Sequence, residues 1–327
     1  MKISRTTIAL CSLAMTAATW LGAAPTAHAQ KFPTQPIKLI VGASPGGTTD
    51  ALARELADDM TKSLGQPVIV DNKPGAGGNI AADFVARAPA DGHTLLVAFT
   101  SHTMNAALFK KLPYDPVKDF TPISLIGKVA SVLVARPDLP AKDLKELLAA
   151  AKQKDGYSFA IGGTGSSLQM DTAEFRATSK LPGVDIPYKG SSPALVDVMS
   201  GQVDLMFAPI GGARTLLENG KVKAYAVTSA KRLASLPDVP AVAEVVPTFT
   251  TNYGWFGVLG PARLPADVTA RLNEWVVKAI QSPRIKARLA QDGSAPSGTT
   301  PTEFHEFLVG DVKQWAEQAK LAKVELQ

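Results

Sequence analysis

The sequence predicts an α/β protein: two doubly wound domains around a cleft. Three observations predict it. Apolar runs rich in Val, Ile, Leu, Phe and Tyr alternate with helical segments from residue 37 onward, a pattern that implies parallel sheets covered on both faces. Setting aside the first 29 residues leaves about 300, two domains by size. A fresh strand opens at Tyr253-Gly254-Trp255-Phe256-Gly257, after Val245-Val246-Pro247-Thr248. A chain that leaves one domain near 127 and returns near 248 makes a discontinuous first domain, 31–126 plus 248–327, and an inserted second one, 127–247.

Residues 1–29 read as a signal peptide. Lys2 and Arg5 form a positive start, Ile8 to Leu21 is an apolar run, and Ala27-His28-Ala29 is a small-x-small cleavage signal. Cys11, the one cysteine, lies in that apolar run after Leu10, which is not the small residue a lipid anchor needs. The mature chain then has no thiol, which suits an oxidising compartment. No later stretch nears membrane-spanning length. The leader predicts export across a membrane into such an oxidising compartment.

Strands are expected at 37–41, 67–71, 94–98, 123–134, 157–160, 184–188, 203–207, 222–228 and 253–259. Helices are expected at 48–63, 77–87, 141–152, 167–178, 191–200, 212–218, 266–280 and 301–321. The last has the clearest start, because Thr300-Pro301-Thr302-Glu303 supplies a capping Thr, a first-turn Pro and a Glu three residues after the cap. Its apolar positions Phe304, Phe307, Leu308, Val312, Trp315 and Ala319 read as core. The formal charge of +5 includes Lys2 and Arg5. The remaining charges are scattered singly, without basic runs, and exclude a nucleic-acid partner. The protein is read as a monomer.

Val41-Gly42-Ala43-Ser44-Pro45-Gly46-Gly47-Thr48 contains Gly-x-Ser-x-Gly between a strand and a helix, the spacing of a hydrolase nucleophile elbow. Such an elbow draws an oxyanion donor from the N–H after the serine, and Pro45 has none. Losing one such donor costs about 100–1,000-fold in rate. His93 lies in a turn and His305 in the last helix, so only His102 approaches the cleft. The chain is read as no enzyme, with a Ser44 esterase as the alternative.

The same loop suits an anion. Gly46 and Gly47 let the backbone approach a ligand, Thr48 adds a hydroxyl, and the following helix brings its positive end, roughly half a charge. Asp50 is expected to brace the loop. Related loops follow other strands. Asn72 to Asn79 includes Gly77 but is neither a dinucleotide fingerprint, having Ile80 at the third glycine position, nor a P-loop. Ser101 and His102 follow the third strand. Gly163, Thr164, Gly165 and Ser166 open a helix in the second domain, with Gln169 one turn on. Trp255 and Lys189 are further candidates for ligand contact, with core packing and a solvated turn as the alternatives. No cluster has metal-ligand spacing, and no cofactor is expected.

The residues Phe32-Pro33, Ser44-Pro45-Gly46-Gly47, Asp50, Asn72-Lys73-Pro74-Gly75-Ala76-Gly77-Gly78-Asn79-Ile80, Ala90-Asp91-Gly92-His93, Pro187-Tyr188-Lys189-Gly190, Gly201-Gln202-Val203-Asp204 and Leu236-Pro237-Asp238-Val239-Pro240 resemble the Bug family, the periplasmic substrate-binding proteins of tripartite tricarboxylate transporters. The resemblance spans essentially the whole mature chain. It implies a type II periplasmic-binding (Venus flytrap) fold that closes around a small carboxylate, di-, tri- or aromatic, and delivers it to membrane permease subunits. It also implies ligand contacts from Ser44 to Thr49, Thr100 to His102, Gly163 to Gln169 and around Ala208. A sensing role, with docking to a receptor, is the other reading of the same fold. Leu168-Gln169 stands where the family commonly has Gln-His, which favours a less polar ligand.

Overall fold

The apolar runs form two five-stranded sheets, and in each the parallel strands end at the same cleft. The computed structural model describes residues 32–151, 156–162, 166–188, 190–250 and 254–321. The signal peptide, Gly163, Thr164, Gly165 and Lys189 lie outside these. In chain order the elements begin with β1 (Ile37–Val41), α1 (Thr48–Leu64), β2 (Val68–Asn72), a 3-10 turn (Ala76–Gly78), α2 (Asn79–Ala86), β3 (Thr94–Phe99), α3 (Ser101–Leu108) and β4 (Phe120–Val129). The second sheet's part follows with β5 (Ser131–Ala135), α4 (Leu144–Ala150), β6 (Tyr157–Ile161), α5 (Ser167–Ser179), β7 (Gly183–Pro187), α6 (Ser191–Met199), β8 (Leu205–Pro209), α7 (Ile210–Glu218), β9 (Lys223–Val227) and α8 (Val242–Val245). The chain returns through β10 (Gly254–Pro261) and ends with α9 (Ala266–Ile280), α10 (Pro283–Gln291) and α11 (Pro301–Leu321).

The strand orders are β2-β1-β3-β10-β4 and β7-β6-β8-β5-β9. Both sheets are mixed, which corrects the expectation of parallel sheets. β1, β2 and β3 pair in parallel, but β10 runs antiparallel to β3 and β4. In the second sheet β5 runs antiparallel to β8 and β9. The crossovers explain this. β4 leaves the first lobe at Val129, and β10 re-enters opposite it, with Gly254 in register with Val129. A strand that enters from the cleft end must run against its neighbours.

The expected strand 123–134 is two strands, one in each sheet, divided at Ala130. Ser131 ties the start of β5 to the end of β9: its N–H donates to Thr228 Oγ1 at 3.0 Å, and its carbonyl accepts from Thr228 N at 3.0 Å. Alternation then sorts β5 to two cores. Leu133 and Ala135 join Phe159, Phe175 and Phe207 on one face, and Val132 and Val134 join Met206 and Ala208 on the other. Both faces of this sheet are therefore covered.

Local signals set the helix limits. α1 stops at Gly65, whose φ of 66° is left-handed and whose N–H returns to Thr61 O. The Thr300–Glu303 pair forms the expected cap of α11: Glu303 N donates to Thr300 Oγ1 at 3.2 Å and Thr300 N to Glu303 at 2.8 Å. The expected helix 77–87 is broken instead, because Gly77 and Gly78 take φ of 63° and 94°. Gly42 lies under this turn, and a Cβ on it would stand 2.7 Å from Gly78 Cα. α3 and α10 were not expected; each is a single short helix, and α3 buries polar residues, His102, Thr103 and Asn105, where the sequence shows no apolar stripe.

α11 is pinned by a buried carboxylate. Asp311 accepts hydrogen bonds from Thr103 Oγ1, from Trp255 Nε1 at 2.8 Å and from Trp315 Nε1 at 3.1 Å. Burial pushes its pKa up while the three donors oppose that shift. The contact couples α3, β10 and α11. Replacing Asp311 by Leu leaves two indole N–H groups and a hydroxyl without their acceptor in the core, and is expected to lower unfolding stability by about 3 kcal/mol in urea titration.

Candidate functional site

Between the sheets lies a cavity of about 590 Å³. Its walls come from both lobes and from the crossover at Val129, Ala130 and Ser131. Five helices begin on it. α1 contributes Thr48 and Thr49, α3 Thr100 and Ser101, α5 Ser166 and Ser167, α6 Ser191, and α7 Pro209 and Ile210. Each element of this kind follows a strand that ends at the cleft, so topology aims the positive ends of all five inward. The N-terminal turns of α1, α3, α6 and α7 carry no side-chain cap. Their amides are open to an acceptor from the cavity. Only α5 is capped, by Ser166 Oγ accepting from Gln169 N at 3.3 Å.

Phe99, Met104, Val129, Leu168, Ile210 and Phe256 give the cavity an apolar wall. Among the described lining residues there is no Lys, Arg or His, and the charged ones are Asp171 and Asp292. Asp171 accepts from Ser131 Oγ at 2.6 Å and is fixed to the crossover. Asp292 caps α10 at its C-terminal end. Among the described residues no group of three His, Cys, Asp or Glu could hold a metal.

Of the residues singled out in the sequence, Thr48, Gly77, Ser101 and Ser166 line this cavity. Ser101 Oγ donates to Gly77 O at 2.5 Å, which joins the third-strand loop to the second-strand loop. The glycine loop itself behaves differently from the cradle expected of it. Gly46 N donates to Asp50 Oδ2 at 2.9 Å, and Gly47 N bends back to Ser44 O at 3.5 Å. Asp50 also accepts from Arg54 Nε at 3.0 Å. The Arg54 hydrogen bond leads in drawing the Asp50 pKa down to about 2, and the Gly46 N–H adds to it. Asp50 braces the loop as expected, but it takes the amide that an anion would use. Ser44, Gly46 and Gly47 are exposed residues outside the cavity wall, and the helix residues after them reach it.

His102, Trp255 and Ala208 turn away from the cavity. His102 follows Ser101 by one helical step, which swings it into the core, where its Nε2 meets Pro116 O at 2.9 Å. Its ring stacks on Tyr114 at 5.6 Å and meets Phe120 edge-on at 4.7 Å. Trp255 is fully buried, and strand alternation puts its neighbours Gly254 and Phe256 on the cavity instead. Ala208 faces the second-lobe core, one residue before Pro209 and Ile210, which do reach the wall. Gln169 is half-buried behind Leu168. Asp171, Asp292, Ser131 and Ser191 were missed as site residues. Ser191 has the signal of the other loops, a hydroxyl after a glycine at the start of an expected helix; nothing local in the sequence marks the other three.

Burial of His102 pushes its pKa down to about 4. The unfolded chain protonates this ring below about 6.5, while the fold keeps it neutral. The associated stability is complete above pH 6.5 and is lost as pH falls toward 4, about 3 kcal/mol in all. The stability of a His102→Asn variant is therefore expected to fall less steeply between pH 7 and 4.5 than that of the wild type in chemical denaturation. Parallel slopes would contradict a buried neutral imidazole.

The comparisons with known proteins agree with this geometry. Residues 52–322 match the model of the tripartite tricarboxylate transporter family receptor, TctC. The periplasmic binding protein BugD has 34% identity, a TM-score of 0.78, and a match covering 90% of this chain and 100% of that one. R. palustris Rpa4515, solved with adipate, has 32% identity and a TM-score of 0.80, over 90% of this chain and 100% of that one. MatC from Rhodopseudomonas palustris, solved with bound malate, has 34% identity and a TM-score of 0.75, over 88% and 99%. Among the described residues no helix is long and apolar enough to cross a membrane. The chain belongs to the Bug family of tripartite tricarboxylate transporter receptors.

Proposed function

We propose that the protein captures a small organic carboxylate in the periplasm and hands it to the membrane permease of a tripartite tricarboxylate-type transporter. The observation that carries this is the convergence of five helix N-termini on a cavity whose described lining has no cationic side chain. Fixed amide dipoles bind an anion without the desolvation of a buried lysine or arginine. The bound adipate and malate of the two R. palustris relatives support the ligand class. The leader at 1–29 supports export, and the monomeric, non-catalytic reading follows from the role. The lobes move about the crossovers at Ala130 and at Gly254, closing on the ligand as the working step.

Ser44 has no place in this function. Its neighbours Pro45 and Gly46 offer no free amide for an oxyanion, and His102 is engaged with Pro116. Nitrophenyl ester hydrolysis, if any is measured, is expected to be the same in Ser44→Ala as in the wild type. Loss of turnover in that variant would restore the esterase alternative.

Binding is tested by a thermal-shift panel of mono-, di- and tricarboxylates, aromatic acids and amino acids. A ligand at 100 times its Kd stabilises the native state by about 2.7 kcal/mol, or about 4 °C for a chain of this size. A flat response to every carboxylate contradicts the proposal. The role of the amides has its own test. Thr48 is the first residue of α1, and Gly47 before it is extended, with ψ of 171°. Proline is tolerated at that position yet lacks the N–H. Thr48→Pro is expected to weaken carboxylate binding about tenfold at nearly unchanged melting temperature, more than Thr48→Val, which loses only the hydroxyl.

A further inference from the structure

The charge inside the cavity is unexpected for a binder of tricarboxylates. Five helix ends supply nominally about half a positive charge each. Asp171 and Asp292 return two negative charges to the same space. The field that remains suits one ligand carboxylate and disfavours a second. Asp171 is held by Ser131 at the crossover. Asp292 is placed differently. It lies on the first lobe, yet its Oδ1 would stand only 2.3 Å from a Cβ on Gly211, the second residue of α7 in the other lobe. Gly211 has no Cβ, and this is what lets the carboxylate come against the first turn of α7. Gly293 next to it packs in the same way, with Ile210 and Leu233 of the second lobe 2.9 and 3.0 Å from where its Cβ would stand. Asp292 also lines an adjoining hollow of about 900 Å³, together with Thr48, Ser191, Gly211, Arg214 and Arg288. Burial raises its pKa, and the charge of Arg288 opposes that rise.

We propose that Asp292 is a specificity-determining residue: it sets the protein's own carboxylate beside the first turn of α7, repels a second negative group there, and so limits the ligand to a single carboxylate on an apolar body. The inference rests on the carboxylate reading above and narrows it. The apolar wall of Phe99, Met104, Leu168 and Phe256 receives the body, and the amides of the other helices receive the one charged end. A dicarboxylate directs its second charge either at Asp292 or at the apolar wall.

The test compares acids that differ by one carboxylate, hexanoate with adipate and benzoate with terephthalate, by isothermal titration calorimetry on the mature chain. The readout is the ratio of the two Kd values within each pair. The wild type is expected to favour the monocarboxylate at least tenfold. Asp292→Asn and Asp292→Ser are each expected to shift that ratio at least tenfold toward the dicarboxylate. Two variants guard against one that folds poorly, and the melting temperature of each free protein checks this. Asp267→Asn removes an equal charge from the exposed start of α9, at the far end of β10 from the cleft, and is expected to leave the ratio unchanged. A wild type that prefers the dicarboxylates overturns the assignment of Asp292, as does a ratio the same in all proteins. Either result leaves the carboxylate reading intact if some acid of the thermal-shift panel binds. Failure of every carboxylate in both experiments overturns the two together.

Discussion

The structure depends on helix dipoles that two sheets aim at one space. An anion held by amide N–H groups needs those groups fixed before it arrives, because loose donors would give up their entropy on binding. The two sheets do the fixing. Every cleft-facing helix starts within a few residues of a strand end, so its first turn inherits the position of the sheet. Buried groups such as Asp50 in the first turn of α1 and Asp311 between α3, β10 and α11 then hold the starts of α1 and α3 in place.

The crossovers join the two lobes beside the cavity. Val129 and Gly254 lie in register on adjacent strands, and Ser131 and Thr228 bond just beyond them. Ser131 also bonds Asp171, which lines the cavity. The same few residues therefore carry the chain between lobes and form part of the wall. α11 adds a second link, with Trp315 and Ala319 packed beside Met170 of α5.

Much of the fold was legible because its signals are local. Ile37 to Val41 is an apolar strand of ordinary length, α9 follows its 3.6-residue stripe, and Thr300 with Glu303 announces α11. Strand direction was not legible, because β10 runs antiparallel for a reason of chain path rather than of composition. At the site, the loops that open helices were found through their glycines and hydroxyls, and Thr48, Ser101 and Ser166 stand where such loops should place them. His102 and Trp255 illustrate the opposite case. Each neighbours a residue that reaches the cavity, but one helical step or one strand step decides which way a side chain points, and that phase was not readable. Asp292 lay beyond reach for another reason. It meets the cavity only because Gly211, on a different lobe, leaves space for it.

The most direct measurement is a crystal structure of the protein bound to the acid that stabilises it most. The account predicts the ligand carboxylate within hydrogen-bonding distance of first-turn amides from at least two of α1, α3, α5 and α6, drawn from both lobes, with no lysine, arginine or histidine paired to it. A carboxylate neutralised by a basic side chain, or seated outside the space between the sheets, would contradict it.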